Sequence, residues 1–176
     1  MQEPALTQQF VRSLGEFQSS TLIFPTQRYP AYSSDRIFQF IRQSLGKKTS
    51  PLIFISFSAG VVGAIGAAYS WQLTGGDVAA FIALDGWGVP LLASFPLYRL
   101  SHDRFTHWSS HLLGGGQESF YADPPVSHLS LWGFPDTATG WHTQAQCWGI
   151  ETSTSTTAAD FLQTLLKRHW SSTTSL

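Results

Sequence analysis

Ser58 follows a run of β-branched and aromatic residues, Leu52 to Phe57, and precedes a small-residue segment, Ala59 to Leu73, in which Gly60, Gly63 and Gly66 recur at three-residue spacing. The first composition predicts a strand and the second a helix. A serine on a sharp strand-to-helix turn presents its hydroxyl beyond the sheet, and the strained turn needs small neighbours, which Ala59 and Gly60 supply. A free hydroxyl is a poor nucleophile at neutral pH, so chemistry at Ser58 requires a base and a group that orients the base. The bland alternative is that Ser58 only caps the helix that follows it. A second spacing with chemical content is Asp103, His107 and His111, which recur every four residues and share one face of a predicted helix. Two imidazoles and a carboxylate can hold a metal ion, although a packing role on a lid competes with that reading.

The pattern Ser56-x-Ser58-x-Gly60 resembles the nucleophile elbow, G-x-S-x-G, of the α/β-hydrolase superfamily, with Ser56 at the first glycine. More loosely, Ser101 to Trp108 and Phe120 to Leu129 look like segments of small, poorly characterised hydrolase-like proteins of cyanobacteria. The resemblance implies that Ser58 is the nucleophile and that the acid and then the base follow it in the chain. Leu131-Trp-Gly-Phe-Pro-Asp136 is similar to the stretch where many of these enzymes carry the acid, and Asp85, ending the neighbouring strand, is the alternative. His142, the last histidine before the closing helix, is the first choice of base. If Gln144 to Ile150 is the final strand, the usual place of the base falls in Glu151 to Thr157, which has no histidine. His107 or His111 then serves, or no triad exists. The resemblance further implies an oxyanion hole from the backbone N–H of Ala59 and a second donor at Thr26 or Gln27. Dinucleotide binding is a third reading, because Ser58-x-Gly60-x-x-Gly63 matches that fingerprint except at its first glycine, with Asp85 as the ribose-binding acid.

These residues need elements to carry them. The pattern predicts a helix at Phe10 to Leu14, a strand at Ser20 to Pro25, and a helix started by Ser33-Ser34-Asp35 whose stripe is Ile37, Phe38, Ile41 and Leu45, ended at Gly46. Strands at Leu52 to Phe57 and Val78 to Leu84 continue the alternation. The fold class is therefore α/β: a mostly parallel sheet with helices on both faces, a reduced three-layer α/β-hydrolase-like fold. Ligands on such sheets bind beyond the carboxyl ends of the strands, here bordered by Thr26, Gln27, Ser58 and Asp85-Gly-Trp87. Pro90 to Leu100 is broken by Pro90 and Pro96, and Ser101 to Leu113 reads as a helix ended by Gly114 to Gly116. Residues 88–116 are the candidate lid, with Trp87, Trp108, His107 and His111 lining a pocket. A strand is expected at Leu129 to Gly133, a loop from Phe134 to His142, and a closing helix, Ala158 to His169, capped by Thr157. On that reading His128 precedes its strand at the wrong end of the sheet, where a structural hydrogen bond is its expected role. His169 favours the dipole of the closing helix.

With 176 residues and 43% hydrophobic content, the chain can bury one substantial core, so residues 1–176 are expected to form a single domain. Ten Lys plus Arg and a net charge of −1 offer no electrostatic footprint for nucleic acid, and Lys47-Lys48 reads as the solvated end of a helix. A lone Cys147 excludes an intramolecular disulfide framework. Residues 49–76 carry no charge and are long enough to span a bilayer, which takes about 20 apolar residues. Their segregation into a β-branched half and a small-residue half fits a buried strand and helix better. The opening Met1-Gln-Glu-Pro-Ala lacks signal-peptide character, and the expected location is cytoplasmic or peripheral to a membrane. The functional expectation is a serine hydrolase cleaving an ester or thioester of a hydrophobic acyl substrate, with no cofactor. The competing expectation is an inactive hydrolase-like protein that binds a hydrophobic ligand or a protein partner through its seven Trp and thirteen Phe.

Overall fold

A computed structural model describes residues 4–46, 50–114, 116, 118–145 and 151–171. The helix end at Lys47-Lys48, Cys147, most of the strand expected at Gln144 to Ile150, and the final residues 172–176 lie outside them.

Among the described residues, six strands form one sheet in sequential order: β1 (Leu52–Phe57), β2 (Val78–Leu84), β3 (Leu97–Ser101), β4 (Glu118–Ala122), β5 (Thr139–Ala145) and β6 (Glu151–Thr157). The first four run parallel, whereas β5 and β6 are antiparallel to their neighbours. The sheet is therefore mixed. The helices are α1 (Pro4–Ser13), α2 (Ser34–Leu45), α3 (Gly60–Leu73), α4 (Arg104–His111), α5 (His128–Gly133) and α6 (Ala158–Ser171), with a 3-10 turn at Gly15–Ser20.

Side-chain alternation along β2 divides the interior. Ala80, Ile82 and Leu84 pack with Phe10, Leu131, Phe161 and Leu165 from α1, α5 and α6, whereas Phe81 and Ala83 pack with Ile37, Ile41, Val61 and Trp71 from α2 and α3. A strand covered on both faces has to be apolar throughout, as β2 is. Helix α3 lies against β1, β2 and α2. Its glycines serve that packing: a Cβ on Gly63 would stand 2.3 Å from the Ala31 carbonyl oxygen, and one on Gly66 2.4 Å from Ser34 Oγ. No helix among the described residues is long and apolar enough to cross a membrane.

The elements differ from the sequence reading at several places: the first helix starts at Pro4 and not at Phe10, and Glu151 to Thr157, read as following the last strand, is itself β6. Residues 21–25 form no strand, because the chain turns at Pro25, whose carbonyl accepts the N–H groups of Arg28 and Tyr29. The segment expected as a lid contributes β3, a central strand with Leu100 at 1% exposure. Leu129 to Gly133 is helical, since the Ser127 hydroxyl caps α5 by accepting the Ser130 N–H at 3.1 Å. The expected loop Phe134 to His142 enters β5 at Thr139, where β-branched and aromatic residues resume. The closing helix starts as expected, with the Asp160 N–H donating to Thr157 Oγ1 at 3.1 Å.

Candidate active site at the carboxyl ends of the strands

Strand β1 ends at Phe57, and Ser58 then adopts φ 54°, one of two non-glycine residues with positive φ among the described residues. The other is Asp85, φ 48°, at the same position after β2. The register pairs Phe57 with Leu84, and the Ser58 N–H donates to the Leu84 carbonyl at 2.9 Å, so the two strained residues emerge side by side. Left-handed backbone costs a residue with a Cβ about 1–3 kcal/mol and is concentrated at functional sites. The turn is tight: a Cβ on Gly86 would stand 2.9 Å from the Val61 side chain in the first turn of α3. Arg99, in β3, ties the loop after Asp85 to the turn after α4 by donating to the carbonyls of Gly86 (3.3 Å) and Val89 (2.8 Å) in the first and Gly114 (2.7 Å) in the second. Burial lowers that guanidinium to about 10, so it stays charged at neutral pH.

Ser58 is not the helix cap. That position belongs to Ala59, and no side chain caps α3. The Ala59 N–H has no hydrogen-bond acceptor among the described residues, as an oxyanion donor requires. Ser56, two residues earlier, is buried with its hydroxyl unpartnered among the described residues.

Asp85 is the centre of the constellation. Its side chain is 1% exposed, Oδ1 accepts the His102 backbone N–H at 2.9 Å, and Oδ2 meets His102 Nδ1 at 3.0 Å and His128 Nδ1 at 2.8 Å. His102 follows β3, and His128 opens α5 after β4, so three successive parallel strands deliver one residue each to this point. The His128 ring stacks on Phe57 at 4.4 Å, which fixes it beside the residue preceding Ser58. Its Nε2 has no protein partner among the described residues, whereas His102 Nε2 lies 3.5 Å from Asp103 Oδ2. Within 3.5 Å, no hydrogen bond joins the Ser58 hydroxyl to an imidazole among the described residues.

The other expected site residues go elsewhere. His142 lies within β5, bonds Glu118 Oε2 at 3.0 Å and packs on Phe161 at 4.8 Å. Glu118 begins β4, at the opposite end of the parallel strands from Ser58, and Arg168 also holds it, at 2.5 and 3.2 Å. His142 is therefore a structural partner of Glu118, because the strand that carries it starts before it rather than after it. Asp136 is exposed in the turn before β5 and meets no histidine among the described residues. Thr26 spends its N–H on the Phe24 carbonyl at 2.9 Å, and Gln27 is exposed in the same turn, with no hydrogen bond to the Ser58 loop among the described residues.

His107 and His111 point toward β4, not into a pocket with Ser58. His107 is buried against Tyr121 at 4.9 Å and His111 at 4.5 Å, and His111 Nε2 bonds Ser119 Oγ at 3.1 Å. Asp103 does not complete a metal face with them, since it caps α4 through the Thr106 N–H at 2.6 Å. Trp87 and Trp108 are 65% and 63% exposed, and Trp87 donates to Ser109 Oγ at 3.1 Å. They form an outer aromatic surface and not an enclosed lining.

His128 stands at the carboxyl ends of the parallel strands and not at the opposite end expected for it, because it follows β4 and opens α5 instead of preceding a strand; His102 was hidden because Pro96 interrupts the segment that becomes β3. A signal did exist in Pro124-Pro-Val-Ser127, which marks a break followed by a helix-starting serine. The two segments noted for their likeness to hydrolase-like proteins are the ones that contain them. Comparison of the chain with family models, with curated proteins and with solved structures finds no match to any of them.

Proposed function

We propose that the chain is a serine hydrolase acting on an ester or thioester of a hydrophobic acyl group, with Ser58 as nucleophile, His128 as base and Asp85 as the acid that orients it. The observation that carries this reading is the buried Asp85 carboxylate, which receives His128 Nδ1 at 2.8 Å beside a strained serine on the neighbouring strand. With the Nδ1 proton held by Asp85, Nε2 keeps its lone pair and can take the Ser58 proton as Oγ attacks the carbonyl carbon. The Ala59 N–H would stabilise the oxyanion, His128 would return the proton to the leaving oxygen or sulfur, and water would release the acid by the same route. Chain order supports the reading, since Ser58, Asp85 and His128 follow the superfamily sequence of nucleophile, acid and base. The Ser58 hydroxyl would need to rotate toward Nε2 when substrate binds, a tightening common to catalytic hydrogen bonds in unliganded enzymes.

The test is covalent labelling of the purified protein with a fluorophosphonate probe, followed by identification of the labelled peptide. Wild type should label on Ser58, Ser58→Ala should not, and His128→Gln should label at least about 100-fold more slowly, the loss expected of a general base. His142→Gln should label within about twofold of wild type. A folded wild-type protein that takes no label, with or without a metal chelator, would sink the hydrolase reading. It would favour the second one, a catalytically inactive hydrolase-like binding protein, for which the exposed aromatic surface of Trp87, Phe105 and Trp108 argues.

A further inference from the structure

We infer that Asp85, His102 and His128 constitute a binding site for a divalent transition-metal ion of the zinc type, and that the bound ion silences Ser58. The second half rests on the hydrolase reading; the first does not. One carboxylate oxygen and two imidazole nitrogens, from the loops after β2 and β3 and the start of α5, lie within 4.8 Å of one another. Bonds of about 2.0–2.2 Å in tetrahedral zinc sites place ligand atoms roughly 3.3–3.5 Å apart. Asp85 Oδ2 stands 3.0 Å from His102 Nδ1 and 2.8 Å from His128 Nδ1, so opening the cluster by roughly half an ångström accommodates the ion. The two histidine side chains are 26% and 42% exposed while that of Asp85 is 1% exposed, so the cluster can be reached from solvent through its imidazoles.

Proton bookkeeping argues for the cation. His102 lies between two carboxylates, Asp85 at its Nδ1 (3.0 Å) and Asp103 at its Nε2 (3.5 Å). A neutral imidazole has one N–H and satisfies one of them, leaving a lone pair facing an anion at the other. A metal on Nδ1 resolves the conflict, because the proton then resides on Nε2 and donates to Asp103, the second carboxylate that metal-bound histidines commonly have. Among the described residues, the only ion-pair partners of the buried Asp85 are these two imidazoles, so a cation would supply its missing countercharge.

The same tautomer shift disables the base. With the ion on His128 Nδ1, the ring proton moves to Nε2, which becomes a donor and cannot accept the Ser58 proton.

Titration of the purified full chain with Zn²⁺ by calorimetry, and with Co²⁺ by visible absorption, tests the site without reference to activity. One ion per chain is expected, with His102→Ala weakening affinity at least about 100-fold and Asp103→Asn by about 10- to 100-fold. His169→Ala, on the last helix, should leave it unchanged, and His102→Gln provides a ligand-deficient protein that keeps a polar group at the position. Fluorophosphonate labelling of wild type should fall at least about tenfold with one equivalent of Zn²⁺ and recover with chelator. The ratio of labelling rates without and with Zn²⁺ should drop to about one in His102→Ala and His102→Gln, whatever their basal rates. Absence of binding, or binding that the His102 and Asp103 variants leave intact, overturns the site. Stoichiometric binding with undiminished labelling overturns the switch. Binding at this site in a protein that never labels upholds the metal site and removes the hydrolase reading.

Discussion

Ser58 and Asp85 stand next to each other with φ of 54° and 48°, and neither is a glycine. Asp tolerates left-handed backbone better than most residues because its short side chain finds local partners, and Asp85 accepts the His102 N–H. Ser58 has no such compensation, so its conformation is maintained by β1 on one side and α3 on the other. Ser58→Gly should therefore raise stability, by about 1 kcal/mol once the entropy glycine adds to the unfolded chain is subtracted from the relieved strain. That corresponds to a melting temperature roughly 2–4 °C higher. The same variant should lose all probe labelling. A melting temperature that falls instead would show that the Ser58 side chain, not its backbone, is what the fold needs.

At the scale of elements, α4 is held against β4 by its histidines. His107 is 8% exposed, its Nδ1 has no partner among the described residues, and burial, followed by the charges of His111 and Arg104, lowers its pKa to about 4. In the unfolded chain a histidine titrates near 6.5. Between those values the unfolded state binds more protons than the folded state, so stability rises with pH across this window and falls as pH drops from about 6.5 to about 4. The sign is opposite to that of a histidine gaining a carboxylate partner. His107→Phe should lose this pH dependence, removing on the order of 2 kcal/mol of acid destabilisation between pH 7 and pH 4, with solvent screening allowed for. Denaturant midpoints of wild type and variant measured across that range decide it. Parallel pH curves for the two proteins would exclude His107 as the source.

Across the whole molecule, β2 is shared by both cores, since Phe81 faces α2 and α3 while Ile82 faces α1 and α6. Two layers built on one strand cannot unfold separately without exposing it. Phe81→Ala on one face and Phe161→Ala on the other remove side chains 0% and 2% exposed, and each should cost about 3–5 kcal/mol. Both should shift the same single transition in guanidinium chloride, detected alike by circular dichroism and by tryptophan fluorescence. Separate transitions by the two probes would show that the cores unfold independently.

The strand-turn-helix around Ser58, the strand to Leu84, the helix from Ser34 and the cap at Thr157 were legible in the sequence because their signals are local: composition, periodicity and capping chemistry within a few residues. The same locality singled out Ser58 and Asp85 as candidates. Tertiary structure alone decided the partners of Asp85. Whether His128 or His142 meets Asp85 depends on where β4 ends and on α5 forming in place of a strand, and β4 is a five-residue strand whose identity comes from its pairing with β3 and β5. His102 was hidden for the same reason, because β3 is stabilised by neighbours on both sides more than by its own pattern. Short central strands draw their stability from non-local hydrogen bonds and burial, and those determine which histidines arrive at a carboxylate.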